Sequence, residues 1–368
     1  MPAAADERRF FPPASARFRI LSIDGGGIRG LIPAMVLARL EELLRQRAGP
    51  STLASAFDLI AGTSTGGLIA LGLATPRDGR PAVSAAELVE IYRGPDARRI
   101  FAREPLRRLP LVGSAIDLVR PRYGAAGLRA VVAEHLGEAT LAEALTEVLI
   151  TAYDMTDRGT RFLVRWRPES SEIRAVDAAV ATASAPTYFP AHELGGRALI
   201  DGGVFASDPT IAAIVEAMKR TEDGAVGPDD ILVISLGTGD HLVGYQPATV
   251  SRWGALGWIL PKGSRPPPLL DAILDGQSTA TNHWAHMLLN HEPGAEVPPR
   301  GELGAGPRYY RFQTALGEPM EIDTVRERDL ARLTELGEAL IAAREPELEA
   351  LADALATREQ GRRAHLEG

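Results

Sequence analysis

Short apolar runs closed by glycine recur along this chain. Phe18-Arg19-Ile20-Leu21-Ser22-Ile23 reads as a strand and stops at Asp24-Gly25-Gly26-Gly27-Ile28-Arg29-Gly30. Beyond it Leu31, Met35, Leu37, Leu40 and Leu44 recur at mostly three- and four-residue intervals, which predicts a helix through Arg47 with Pro33 tolerated in its first turn. A second unit repeats the first. Phe57-Asp58-Leu59-Ile60-Ala61 ends in Gly62-Thr63-Ser64-Thr65-Gly66 and continues into the helical Leu68-Ile69-Ala70-Leu71. Two successive strand–loop–helix units predict a parallel sheet with helices on its faces, whose sites gather at the carboxyl ends of the strands.

The same reading extends down the chain. Ser84…Glu87 and Thr140…Glu143 fit the capping box and are each expected to open an apolar-periodic helix. Val148 to Asp154 and Thr160 to Trp166 read as strands, Val176 to Ala183 as a helix, and Ala198 to Asp201 as a short strand ending at Gly202-Gly203. A helix is expected from Pro209-Thr210, a buried strand over Ile231 to Leu236, and a helix over Glu327 to Leu355 broken near Pro346. Pro261 to Leu270, with its three successive prolines, is expected to be a stiff extended loop. The resulting division is a loose tail over 1–16, one α/β domain over 17–342, and a solvated C-terminal helix or frayed tail over 343–368.

Composition narrows the chemistry without naming it. The 368 residues contain no cysteine, which excludes disulfides, thiolate metal sites and a cysteine nucleophile. A net charge of −8 argues against bulk attraction to nucleic acid or anionic lipid. No stretch reaches the roughly 18 apolar residues of a spanning helix, and Met1 to Ala16 lacks an apolar core of the signal-peptide kind, so a cytoplasmic protein is the expectation.

Gly62-Thr63-Ser64-Thr65-Gly66 matches G-x-S-x-G, the turn that lifts a nucleophilic serine to the top of a sheet. A serine hydroxyl needs a base and preorganised donors for the oxyanion that forms after attack. The Gly25-Gly26-Gly27 loop suits the second need, with a helix N-terminus behind it and Arg29 adding a full charge. Asp201, at the end of a short apolar strand, would lie at the same sheet edge as Ser64. It is a competent base only if its site raises its basicity. Among the seven histidines, His241 and His192 remain alternative bases in a triad. Gly25, Gly27 and Gly30 also satisfy the dinucleotide fingerprint G-x-G-x-x-G, so a nucleotide-binding module is the rival of another class. Against it, Asp58 lies at the start of the following strand, where that fingerprint expects an acid at the end.

Taken together, Asp24-Gly25-Gly26-Gly27-Ile28-Arg29-Gly30, Gly62-Thr63-Ser64-Thr65-Gly66 and Asp201-Gly202-Gly203 resemble the three signature blocks of patatin-like phospholipases. Ala152-Tyr153-Asp154, Ala183 to Pro190 and Ser235 to Gly239 resemble family segments as well. The resemblance implies a three-layer fold with a mostly parallel central sheet and helices on both faces. It implies a Ser-Asp dyad of Ser64 and Asp201, oxyanion donors from Gly25, Gly26 and Gly27, and hydrolysis of phospholipid acyl esters at a membrane without metal or cofactor. Where the family commonly has Asn-Asn-Pro, this chain has Ser207-Asp208-Pro209, and Asp208 either perturbs Asp201 or caps the next helix. Bacterial members with this glycine block include antiphage effectors switched on by a cyclic nucleotide, so the resemblance also implies such an activator. A homo-oligomer stays open.

Two surface features remain. Between Arg93 and Arg122 eight arginines face three acids, which reads as a solvated excursion or as a surface for lipid headgroups or an anionic activator. Trp253, Leu256, Trp258, Ile259 and Leu260 read as core packing or as a membrane-contacting lid.

Overall fold

The computed structural model describes residues 12, 16–103, 119–219, 226–241, 244–260, 267–299 and 302–367. The strands among them are β1 (Phe18–Ile23), β2 (Leu59–Gly62), β3 (Pro76–Arg77), β4 (Arg80–Pro81), β5 (Glu147–Asp154), β6 (Gly159–Val164), β7 (His192–Leu194), β8 (Arg197–Asp201), β9 (Ile231–Leu236) and β10 (Tyr309–Phe312). β3 and β4 form a small hairpin of their own, and the other strands make one sheet in the order β10-β9-β1-β2-β5-β8-β7, with β6 also paired to β5. β10, β9, β1, β2 and β5 run parallel, while β6, β8 and β7 are antiparallel additions.

Both faces of the sheet are covered, and the period-two alternation of the strands divides the core. Leu21, Ile23, Ile60, Val148, Ile150 and Ile234 pack on one side with the helices Leu31–Ala48, Thr65–Ala74 and Ala175–Ala183. Ile20, Leu59, Leu149, Ile231 and Val233 pack on the other, against Ala213, Ile214 and Ala217 of the helix Thr210–Lys219 and Ala285 and Leu289 of the helix Pro268–Leu289. Strands buried on both sides read as nearly continuous apolar runs, as β9 does.

Several expectations change. The Thr140 capping box forms, but it closes only the short turn Leu141–Glu143, because β5 follows immediately. The Ser84 box does open a helix, Ala85–Arg93. The prolines lead into a helix that starts at Pro268, where proline fits a first turn, and residues 261–266 lie outside the described ones. The boundary drawn at 342/343 falls inside one helix, Glu327–Glu367, which carries Pro346 without ending. Its second half is not a frayed tail. Leu348, Leu351 and Leu355 are fully buried, and Arg19 donates to the Ala354 and Leu355 carbonyls. Most of the tail expected over 1–16 lies outside the described residues.

Candidate active site

The carboxyl edge of the parallel strands carries the glycine loop after β1, the Ser64 turn after β2 and Gly237-Thr238-Gly239 after β9. Asp201 reaches this edge by an unexpected route. β8 runs antiparallel to β5, so its carboxyl end would lie at the opposite edge if the two strands were of equal extent. β5, however, overhangs the site: Gly62 is level with Ile150, and β8 pairs with the overhang, Asp154 to Leu199 and Ala152 to Asp201. The descending strand therefore delivers its last residue to the level of Ser64.

Ser64 sits at φ 55° and ψ −123°, a strained conformation that a side chain seldom adopts and that the G-x-S-x-G turn expected from the sequence calls for. Two glycines make the turn sterically possible. A Cβ on Gly66 would lie 2.1 Å from the Ile23 carbonyl oxygen, and one on Gly62 would lie 2.2 Å from that of Gly66. The Ser64 N–H donates to Thr182 Oγ1 at 2.9 Å, and Thr63 Oγ1 donates to the Ala206 carbonyl at 2.6 Å, so the turn is braced on both sides.

The Ser64 side chain acts on the Asp201 carboxylate, lowering its pKa, and the two line the same cavity. Burial raises Asp201 to about 6, against the opposing effects of Ser64 and of the Gly203 N–H that donates to Oδ1 at 2.7 Å. The carboxylate is thus more basic than an exposed aspartate and still ionised at neutral pH. Asp208 is not among the groups that shift Asp201. It accepts from the Thr210 N–H at 2.9 Å, which makes it the cap of the helix Thr210–Lys219.

The glycine loop is narrower in its offer than its sequence suggests. The Gly25 N–H is taken by the Ser207 carbonyl at 2.9 Å, so Gly25 is not a free oxyanion donor. The Gly26 and Gly27 N–H groups meet no protein acceptor among the described residues. Gly27 has φ 59° and lies so close to the Ile322 carbonyl that a Cβ would come within 2.1 Å of its oxygen. Arg29 works from behind the loop: Nε donates to the Gly26 carbonyl and Nη1 to that of Gly239, each at 3.3 Å. Burial lowers its pKa, while Asp240 and Asp271 oppose that loss.

Beneath the loop lies a charge cluster that sequence reasoning missed. Arg311 on β10 grips Asp24 with two bonds, of 2.8 and 2.6 Å, and stands 3.4 Å from Asp208, all three side chains being buried. Burial, together with Asp208 and against Arg311, raises Asp24 to about 7. Its only trace in the sequence is an arginine inside the otherwise aromatic run Tyr309-Tyr310-Arg311-Phe312.

Ser64, Asp201, Gly25, Gly26, Gly27 and Arg29 all line one cavity of about 170 Å³. Away from the serine its wall is apolar, with Leu68 from the helix after Ser64, Leu88 and Ile91 from Ala85–Arg93, and Leu128 and Val131 from Ala125–Leu136. A second cavity of about 330 Å³ lies beyond Gly25, Arg29 and Ser207 and is more polar, with Asp240, Asp271, Asp275, Tyr245 and Trp253 in its wall.

The histidines weighed as bases sit elsewhere. His192 Nε2 is 3.3 Å from Asp177, and His241 Nε2 lies 3.5 Å from Arg29 Nη1 in the second cavity. Of the basic region, Arg99 pairs with Asp96 and Glu134, and Arg122 pairs with Asp323 at 2.7 Å, so part of its charge is neutralised locally. Residues 104–118, including Arg107 and Arg108, lie outside the described ones. Leu256 and Ile259 are exposed and do not belong to the core. Among the described residues no helix is long and apolar enough to cross a membrane.

Comparison with known proteins agrees with the motifs. The family model for patatin-like phospholipases matches residues 21–214. Patatin-like protein 1 of Oryza sativa subsp. indica is 34% identical over 366 residues, covering 90% of this chain and 84% of that protein. Patatin-like protein 2 of Arabidopsis thaliana is 33% identical over 348 residues, covering 88% and 82%. Among solved structures, VipD from Legionella pneumophila aligns with 89% of this chain and 67% of its own at 10% identity and a TM-score of 0.40, a likeness too loose to carry an argument.

Proposed function

The chain belongs to the patatin-like phospholipase family and is a lipid acyl hydrolase, and from that premise we propose that Ser64 and Asp201 form its catalytic dyad, acting on the acyl esters of membrane glycerophospholipids. The observation that carries the reading is that Ser64, on its strained turn, shares the end of one apolar cavity with the buried carboxylate of Asp201.

The acyl chain lies along Leu68, Ile91, Leu128 and Val131, which brings its ester carbonyl to Ser64, and the polar headgroup points toward the second cavity. Ser64 Oγ attacks the carbonyl carbon while its proton passes to Asp201, and the oxyanion is held by the Gly26 and Gly27 N–H groups. The tetrahedral intermediate collapses, the C–O bond to glycerol breaks, and Asp201 returns the proton to the leaving alkoxide. Water then enters, gives a proton to Asp201 and attacks the acyl-enzyme. A second collapse releases the fatty acid and restores the Ser64 hydroxyl. Arg29 contributes by holding the Gly26 and Gly239 carbonyls, which keeps the donor peptides aimed into the cavity.

The test is lipid-product analysis on mixed phospholipid vesicles. The wild type is expected to release fatty acid and lysophospholipid, and Ser64→Ala to release neither while melting as a folded protein. Full release by Ser64→Ala would end the proposal. Activation by a cyclic nucleotide rests on the resemblance to antiphage effectors alone, and the same assay with and without candidate cyclic nucleotides decides it.

A further inference from the structure

The helix Pro268–Leu289 presents two apolar faces where a surface helix needs one. One face packs inward through Ala285 and Leu289, with Leu270 and Leu274 in the wall of the Ser64 cavity. The other points to solvent: Leu269 is 48% exposed, Ile273 41%, Trp284 57% and Leu288 42%. At 100° per residue these four fall within an arc of about 100°, as two pairs, Leu269 with Ile273 and Trp284 with Leu288, set about 16 Å apart along the helix with Gln277 and Ala280 between them. The adjoining helix Ala255–Ile259 adds Leu256, 67% exposed, and Ile259, 52% exposed.

Single exposed apolar residues need no explanation, but four large ones on one side of one helix, beside two more on its neighbour, do. The charged residues of the long helix are Asp271 and Asp275, and both line the second cavity instead of this outward face. The helix is also tied firmly to the catalytic edge. Gln277 accepts from the Ser207 N–H at 3.3 Å and donates to the Val204 carbonyl at 2.9 Å, and Ser278 Oγ meets Arg311 at 3.3 Å.

We propose that the outward face of the helices Ala255–Ile259 and Pro268–Leu289 docks this protein on a zwitterionic phospholipid bilayer, by insertion of apolar side chains. The proposal rests on the reading that the Ser64 cavity takes an acyl chain from a membrane lipid. It commits to a bilayer because the outward face begins beside Leu270 and Leu274, which line that cavity. A protein partner seated there would cover the way in, whereas a bilayer supplies what must enter. The outward face carries no cation, so apolar insertion and not attraction to anionic lipid drives the contact. Trp284 lies on this face, and an indole suits the boundary between acyl chains and water.

The experiment measures co-flotation of full-length Ser64→Ala protein with phosphatidylcholine vesicles at low and high salt, with and without the triple substitution Leu256→Asp, Ile273→Asp, Trp284→Asp. Binding is expected to be insensitive to salt. Partitioning of the triple variant is expected to fall by about a thousandfold, since each of the three large apolar side chains withdrawn from the interface is worth about tenfold. With Ser64 intact, the triple variant is expected to hydrolyse a soluble short-chain ester at the wild-type rate and to lose hydrolysis of vesicles. Unchanged flotation of the triple variant would overturn the proposal. So would binding that requires anionic lipid and collapses at high salt, or a wild-type dimer that the triple variant dissociates, which would make the occupant a second copy. If the wild type hydrolyses neither soluble ester nor vesicle yet floats as expected, the docking surface stands and the catalytic reading falls.

Discussion

Replacing Asp201 by asparagine separates its role as a base from its place in the fold. The side chain keeps its shape, and its carbonyl oxygen can still accept the Gly203 N–H bond, but it no longer takes a proton. With the wild-type carboxylate at about 6, roughly one-tenth of it is ionised at pH 5 and roughly nine-tenths at pH 7. The rate on a soluble ester should therefore climb about tenfold per pH unit below 6 and level off above it. In Asp201→Asn the rate should fall by about 10² to 10⁴, and the acidic limb should vanish with the base. Stability should move the other way. Because burial raises Asp201 from 3.8, the native state holds its proton more tightly than the unfolded chain, and stability is lost as pH rises from about 4 to about 6. The neutral amide escapes that loss, which by linkage amounts to at most about 3 kcal/mol above pH 6. The assay is a pH–rate profile paired with thermal melts at pH 5 and 7.5. An Asp201→Asn enzyme that keeps an acidic limb near pH 6, or retains most of its rate, would refute the assignment of the base.

Other substitutions test the surroundings. Gly66→Ala would drive a Cβ to 2.1 Å from the Ile23 carbonyl oxygen and should lower stability by about 3 kcal/mol or more, measurable as a reduced melting temperature. Arg311→Met would strand the buried Asp24 and Asp208 and should cost about 3–5 kcal/mol at pH 7. Asp24 is already raised to about 7 with Arg311 present, so that loss should shrink as pH falls toward 5 and be visible in melts across this range. Ile91→Trp narrows the apolar cavity and should shift kcat/KM toward shorter acyl esters, by about fourfold for each methylene excluded.

The parts of this site that were legible in the sequence are those where backbone geometry dictates residue type. Gly62 and Gly66 are required by close approaches, and Ser64 between them was readable from spacing alone. Asp201 was placed at the correct edge, although the reason was incomplete: its strand runs antiparallel and reaches the edge only because β5 overhangs it. The glycine loop was legible as glycine but not donor by donor, since only the folded chain shows the Gly25 N–H bound to Ser207. Arg311 was invisible because its meaning comes from two acids far away in the chain. The helix Pro268–Leu289 escaped because apolar residues on both its inner and outer faces blur the 3.6-residue period. The C-terminal helix looked solvated through its Glu and Arg content, although Leu348, Leu351 and Leu355 stand at the three- and four-residue spacing of a buried face.

The account stands on Ser64 as the atom that becomes acylated. Incubation with a lipid-like fluorophosphonate, followed by peptide mapping, measures that directly. One adduct is expected, on Ser64, absent from Ser64→Ala and formed much more slowly in Asp201→Asn. An adduct on any other residue, or undiminished labelling of Ser64→Ala, would contradict it.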